Sequence, residues 1–223
     1  MERTGKPAEE YTAQIKIARL TLEGSLHIPE GARGVVLFAH GSGSSRFSPR
    51  NTFVAKELRK ANLATLLFDL LTKEEDEIDA VTAQLRFNIR LLADRLIGAT
   101  DWLKRGELTK KLKVGYFGAS TGAAAALVAA AERAELVRAV VSRGGRPDLA
   151  GEALPKVKAP TLLIVGGNDR PVLDLNRKAL SNLRVAKDLT IVPGATHLFE
   201  EPGTLEEVAR LAAGWFQKYL GPK

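Results

Sequence analysis

One serine sits between two glycines where an apolar run gives way to an alanine-rich one, in "VGYFGASTGAAAALVAAAERA", residues 114–134. A Gly-x-Ser-x-Gly stretch permits a sharp strand-to-helix turn that lifts the serine hydroxyl clear of a sheet. Backbone at such turns is usually strained. Gly118 and Gly122 lack a Cβ, so neighbouring elements can come close. The hydroxyl of Ser120 is a poor nucleophile until a base takes its proton. The chain offers only three histidines that could act as this base, His27, His40 and His197. His197, in "VPGATHLFE", falls between an apolar run and the final helical pattern and is the candidate base. His27 lies within an early strand, and His40 heads "HGSGSS", a setting that suggests a different role. An imidazole base needs a carboxylate to orient it. Asp169, in "LLIVGGNDRPV", is the candidate, and Asp148, in "RGGRPD", is the second choice. A hydroxyl, an imidazole and a carboxylate together would perform nucleophilic acyl transfer.

The elements that must position these groups follow from apolar periodicity. The stretch "AQIKIARLTLEGSLHIP" predicts two antiparallel strands with a turn near residues 22–24. Continuous apolar runs at 34–40, 63–71, 113–118, 137–145, 160–167 and 188–194 read as buried, mostly parallel strands. Helical spacing fills the gaps at 49–61, 79–105, 121–134, 174–183 and 204–220. The acidic "TKEEDEIDA" reads as a solvated loop and helix start. Strand and helix alternate from about Gly34, which predicts an α/β fold: a mostly parallel twisted sheet with helices on both faces. In such sheets sites form outside the carboxyl ends of the strands, where Ser120, Asp169 and His197 all fall. The expected organisation is a flexible N-terminus over 1–12 and a single domain over 13–223, with little or no lid.

The stretches "FAHGSGSSRFSPRN", "GYFGASTGAAAAL", "LLIVGGND" and "VPGATHLFEEPG" resemble the α/β-hydrolase superfamily, and within it the small dienelactone-hydrolase-like members. The order Ser120, Asp169, His197 is that superfamily's order. The resemblance implies about seven to eight strands, with the first pairing antiparallel. It implies hydrolysis of a small ester or lactone through an acyl-enzyme, without metal or cofactor. It also implies an oxyanion hole of two backbone N–H groups, from Thr121 and from Ser42 or Gly43 in the loop after the first parallel strand. Dienelactone hydrolases proper use a cysteine nucleophile. This chain has no cysteine, which fits a serine esterase of the same architecture. Acyltransferase or peptidase chemistry on the same three residues, or a non-catalytic binding module, are the alternatives.

Arginines cluster on loops predicted at the same sheet edge: Arg46, Arg50, Arg143, Arg146 and Arg170. Guanidinium groups pair bidentately with carboxylate or phosphate. One reading is an anionic substrate anchored by Arg46 or Arg143, the other that these are surface arginines of a basic protein; Phe47 and Phe199 are candidates for the wall of an acyl pocket or for the core. The 223 residues, 45% hydrophobic and 26% charged, suit one globular core. The net charge of +7 is interspersed with acidic residues and lacks aromatic nucleic-acid motifs, so no nucleic-acid partner is expected. No apolar run is long enough to span a bilayer, and the charged N-terminus lacks a signal peptide's apolar core. A cytoplasmic protein, monomeric or homodimeric, is the expectation.

Overall fold

A computed structural model describes residues 9–221. Its centre is an eight-stranded sheet: β1 (Glu9–Ile17), β2 (Leu20–Ile28), β3 (Gly34–Ala39), β4 (Ala64–Phe68), β5 (Lys113–Ala119), β6 (Val137–Arg143), β7 (Thr161–Gly166) and β8 (Lys187–Val192). The spatial order is β1-β2-β4-β3-β5-β6-β7-β8. Strands β3 to β8 pair in parallel, whereas β1–β2 and β2–β4 are antiparallel. Every residue of β3, β4 and β7 is buried, as a strand covered on both faces requires.

Helices cover both faces. On one side α1 (Pro49–Lys60) and α6 (Thr204–Leu220) close a core around Phe38, Phe117, Phe199 and Phe216. On the other, α3 (Ile89–Arg105) and α4 (Thr121–Glu132) pack over Leu37, Leu66, Phe68 and Tyr116. Nearly every residue of the alanine-rich α4 is buried, because methyl side chains let its backbone approach β5 and β6. A 3-10 segment (Pro147–Lys156) and α5 (Arg170–Asn182) complete that side.

Several boundaries differ from the sequence expectation. The β1–β2 turn lies at Ala18 and Arg19, not at 22–24; Ala18 takes the left-handed conformation (φ 50°) and lets Leu22 point inward. The strand β1 begins at Glu9, ahead of the predicted domain start at 13, and residues 1–8 lie outside the described residues. The helix expected over 79–105 is two helices. The acidic stretch itself forms α2 (Lys73–Thr82), started by a reciprocal capping box between Thr72 and Glu75. Ala83 then turns left-handed (φ 54°), a 3-10 turn follows at Leu85–Phe87, and Asn88 caps α3. Helix α5 begins at Arg170, four residues early, because Pro171 suits the first turn of a helix. Among the described residues no helix is long and apolar enough to cross a membrane.

Candidate active site

The loops after β3, β5, β6 and β8 and the first turn of α1 surround a cleft of about 210 Å³. Gly41, Ser42, Asn51, Ser120, Arg143 and His197 are among its lining residues. Ser120 is the turn between β5 and α4, with φ 50° and ψ −122°, a strained conformation for a residue with a Cβ. Its backbone is held on two sides: its N–H donates to the Arg143 carbonyl at 3.3 Å, and its carbonyl accepts from Arg146 N–H at 3.0 Å. The flanking glycines explain how the turn fits. A Cβ on Gly118 would lie 2.4 Å from Ala123 Cα, and one on Gly122 would lie 2.2 Å from the Ala39 carbonyl oxygen. The turn is as sharp as the motif requires, and α4 starts pressed against the end of β3.

The imidazole and its carboxylate come from the loops after β8 and β7. His197 Nδ1–H donates to Asp169 Oδ2 at 2.7 Å. The Asp169 side chain is 12% exposed and that of His197 38%, so the carboxylate is sheltered while the ring reaches the cleft. The two loops are stapled by backbone and amide contacts, Asn168 N–H to the Ala195 carbonyl and Asn168 Nδ2 to the Gly194 carbonyl, both at 2.9 Å. Asp148 does not approach His197: it holds Arg146 through two parallel hydrogen bonds of 2.9 and 2.8 Å. Ser120 Oγ has no hydrogen-bond partner among the described residues. Such hydroxyl–imidazole contacts are often loose without substrate and tighten when it binds.

The loop after β3 passes directly over the serine. A Cβ on Gly41 would lie 3.0 Å from Ser120 Cβ. Ser42 Oγ and Thr121 Oγ1 are hydrogen-bonded at 2.9 Å, so the two residues expected to supply oxyanion donors are joined side chain to side chain. His40 has the different role that its setting suggested. Its Nδ1–H donates to the Gly41 carbonyl and its Nε2 accepts from Leu70 N–H, both at 3.1 Å, which pins the loop to the end of β4. Burial holds its pKa below the ordinary histidine value, outweighing the opposing contact with the Gly41 carbonyl.

The other sequence candidates divide. Arg46 is no anchor for a ligand at Ser120. Its guanidinium is held by Asp69 and, at 2.7 Å, by Glu23, beside a second cleft of about 290 Å³. Phe47 is 69% exposed under the Arg46 guanidinium and does not line the Ser120 cleft. Phe199 is 1% exposed, a core residue packed among Phe117, Val208 and Phe216 rather than a pocket wall. Leu198 lines the cleft in its place. Arg143 does reach the cleft. It is 7% exposed, and burial together with the nearby Arg50 charge pushes its pKa down to about 10. Asn51 was missed by sequence reasoning. Its signal was the Ser48-Pro49 helix start, which fixes the first turn of α1 at the cleft.

Known proteins share the family and the fold of this chain. A model of the dienelactone hydrolase family matches residues 22–219. A crystal structure of dienelactone hydrolase from Anabaena variabilis ATCC 29413 is 63% identical, with a TM-score of 0.95 over 96% of this chain and 100% of that one. Est1E from Butyrivibrio proteoclasticus shares the fold at 15% identity, with a TM-score of 0.77 over 93% of this chain and 98% of that one. A Mycobacterium tuberculosis protein named "Putative phosphoribosyl transferase" is 58% identical over 217 residues, covering 97% of this chain and 48% of that protein. The chain thus spans about half the length of the curated relatives it matches.

Proposed function

The chain belongs to the dienelactone hydrolase family, and from that premise we propose that it is a serine hydrolase that cleaves a small ester or lactone through an acyl-enzyme on Ser120. The observation that carries this reading is the 2.7 Å Asp169–His197 hydrogen bond beside a serine held at φ 50° on the same cleft. His197 Nε2 takes the Ser120 proton as Oγ attacks the carbonyl carbon. The oxyanion is received by backbone N–H groups of Thr121 and of the Ser42 loop. The His197 imidazolium then protonates the leaving oxygen, and water repeats the sequence on the acyl-enzyme. Asp169 fixes the tautomer and stabilises the imidazolium.

The transferase name belongs to a protein about twice as long. An imidazole-activated hydroxyl suits attack at an acyl carbon. Transfer of the acyl group to an acceptor other than water, or peptide cleavage, would use the same residues, and product analysis separates these outcomes.

The test is Ser120→Ala. Hydrolysis of p-nitrophenyl acetate and labelling by a fluorophosphonate should both vanish, with thermal unfolding nearly unchanged. Retention of wild-type turnover by a folded Ser120→Ala protein would falsify the assignment.

A further inference from the structure

The cleft beside Ser120 carries unbalanced positive charge. Arg143 is almost wholly buried at the end of β6, yet its guanidinium makes no hydrogen bond and no ion pair among the described residues. Buried charges are ordinarily paired, because an unpaired one loses its hydration without compensation. Among the described residues no carboxylate forms an ion pair with it. Its surroundings include the Phe199 ring, 6.0 Å from the guanidinium carbon, and Arg50, close enough for its charge to depress the Arg143 pKa. Arg50 has one ionic partner among the described residues, Glu200 at 3.2 Å, whose side chain is mostly exposed and screened.

Of the six buried side-chain atoms lacking a hydrogen-bond partner among the described residues, three border this one cleft: Arg143 Nε, Arg50 Nε and Asn51 Oδ1. The remaining lining is hydroxyls, small residues, His197 and Leu198, with no carboxylate among the described residues. The first turn of α1 adds the positive end of a 12-residue helix.

We propose that Arg143 and Arg50 form a subsite for a phosphate group carried by the ester or lactone, and that Asn51 Oδ1 accepts from a hydroxyl next to that phosphate. Two guanidinium groups and a helix N-terminus match a dianion with three oxygens better than a single carboxylate, which one guanidinium satisfies. The subsite rests on the hydrolase reading for its reaction, but its binding can be measured independently.

The experiment uses matched p-nitrophenyl esters whose acyl chain ends in a phosphate, a carboxylate or a neutral group. A parallel series carries the same groups on the alcohol. In one series kcat/KM for the phosphate ester should exceed that for the neutral ester by about 10- to 100-fold. The ratio should fall towards one in Arg143→Gln and be partly restored in Arg143→Lys; Arg50→Gln should reduce it as well. A hydroxyl beside the phosphate should raise the rate, and Asn51→Leu should cancel that gain. Calorimetric binding of the phosphate ester to Ser120→Ala, compared with the Ser120→Ala/Arg143→Gln double variant, reads the subsite without turnover. A ratio near one in wild type, with Ser120-dependent hydrolysis intact, overturns the subsite and leaves the hydrolase. Equal preference for carboxylate and phosphate overturns the dianion. Arg143-dependent binding without Ser120-dependent turnover sinks the hydrolase reading and keeps the subsite.

Discussion

Asp169 and His197 stand 28 residues apart on the loops after adjacent strands β7 and β8, and a 2.7 Å hydrogen bond joins Asp169 Oδ2 to His197 Nδ1. Parallel pairing puts both loops at the same sheet edge, so the contact follows from register rather than from sequence proximity. The bond commits Nδ1 to the carboxylate and leaves Nε2 as the ring nitrogen that the proposed mechanism uses as proton acceptor.

Asp169→Asn should therefore lower kcat by roughly 10³- to 10⁴-fold, since the amide can present N–H to Nδ1 and favour the wrong tautomer. The melting temperature should move by only a few degrees. Ester kinetics and thermal unfolding on the same preparation check both. Near-wild-type kcat would remove Asp169 from the mechanism.

Gly122→Ala should destabilise the fold by about 1–3 kcal/mol. The new Cβ would fall 2.2 Å from the Ala39 carbonyl oxygen and 2.5 Å from that of His40. Both are backbone atoms of the site, so relief must displace either the turn at Ser120 or the loop after β3. Urea unfolding should show the lost stability, and kcat should drop with it. A variant as stable and active as wild type would contradict the close approach.

The pH dependence of stability should carry a contribution from His40. Its folded-state pKa is depressed by burial, so below the unfolded value, about 6.5, the unfolded chain binds the proton and the folded one resists it. Stability is full above that value and is lost as pH falls towards the folded pKa, by up to about 1.4 kcal/mol per pH unit. His27 is shifted the same way, chiefly by burial and with Arg59 adding, and gives a parallel slope. The difference between wild type and His40→Gln isolates His40. Denaturant unfolding from pH 7.5 to 5 should give a shallower loss in the variant, and identical slopes would refute the attribution.

The segment from α2 to the 3-10 turn touches little of either core, and Asp79 is its buried tie. Asp79 Oδ1 accepts from Leu85 N–H at 2.7 Å and Arg86 N–H at 3.1 Å, while Oδ2 accepts from Arg86 Nε at 2.6 Å. The Arg86 carbonyl in turn accepts from Ser42 Oγ at 3.4 Å. Asp79→Ala should speed proteolytic cleavage within 73–88 several-fold at unchanged global stability, and lower kcat more than it changes KM. Limited proteolysis with mass mapping, beside steady-state kinetics, tests the link. Unchanged cleavage would show that other contacts hold the segment.

Much of the candidate site was legible because its signals are local. Gly118, Ser120 and Gly122 mark a turn whose geometry depends on adjacent residues, and the apolar runs before Ser120, Asp169 and His197 place each at a strand end. The Ser48-Pro49 start of α1 is equally local. The break between α2 and α3 was hidden, because Leu85 and Ile89 continue a helical spacing across Ala83, and alanine seldom signals a left-handed residue.

By itself the sequence determined the alternation of strand and helix, the turn at Ser120 and the chain order of hydroxyl, carboxylate and imidazole. Only the tertiary structure decided which charges are compensated. Arg46 and Arg143 look alike on loops at one sheet edge. Yet Arg46 meets Asp69 and Glu23, brought by β4 and β2, while Arg143 is buried with no ion pair among the described residues; the carboxylate that the neighbouring β7 brings, Asp169, bonds His197 instead. Periodicity and turn chemistry act over a few residues. Ion pairing depends on which distant strands become neighbours, and sheet order sets that.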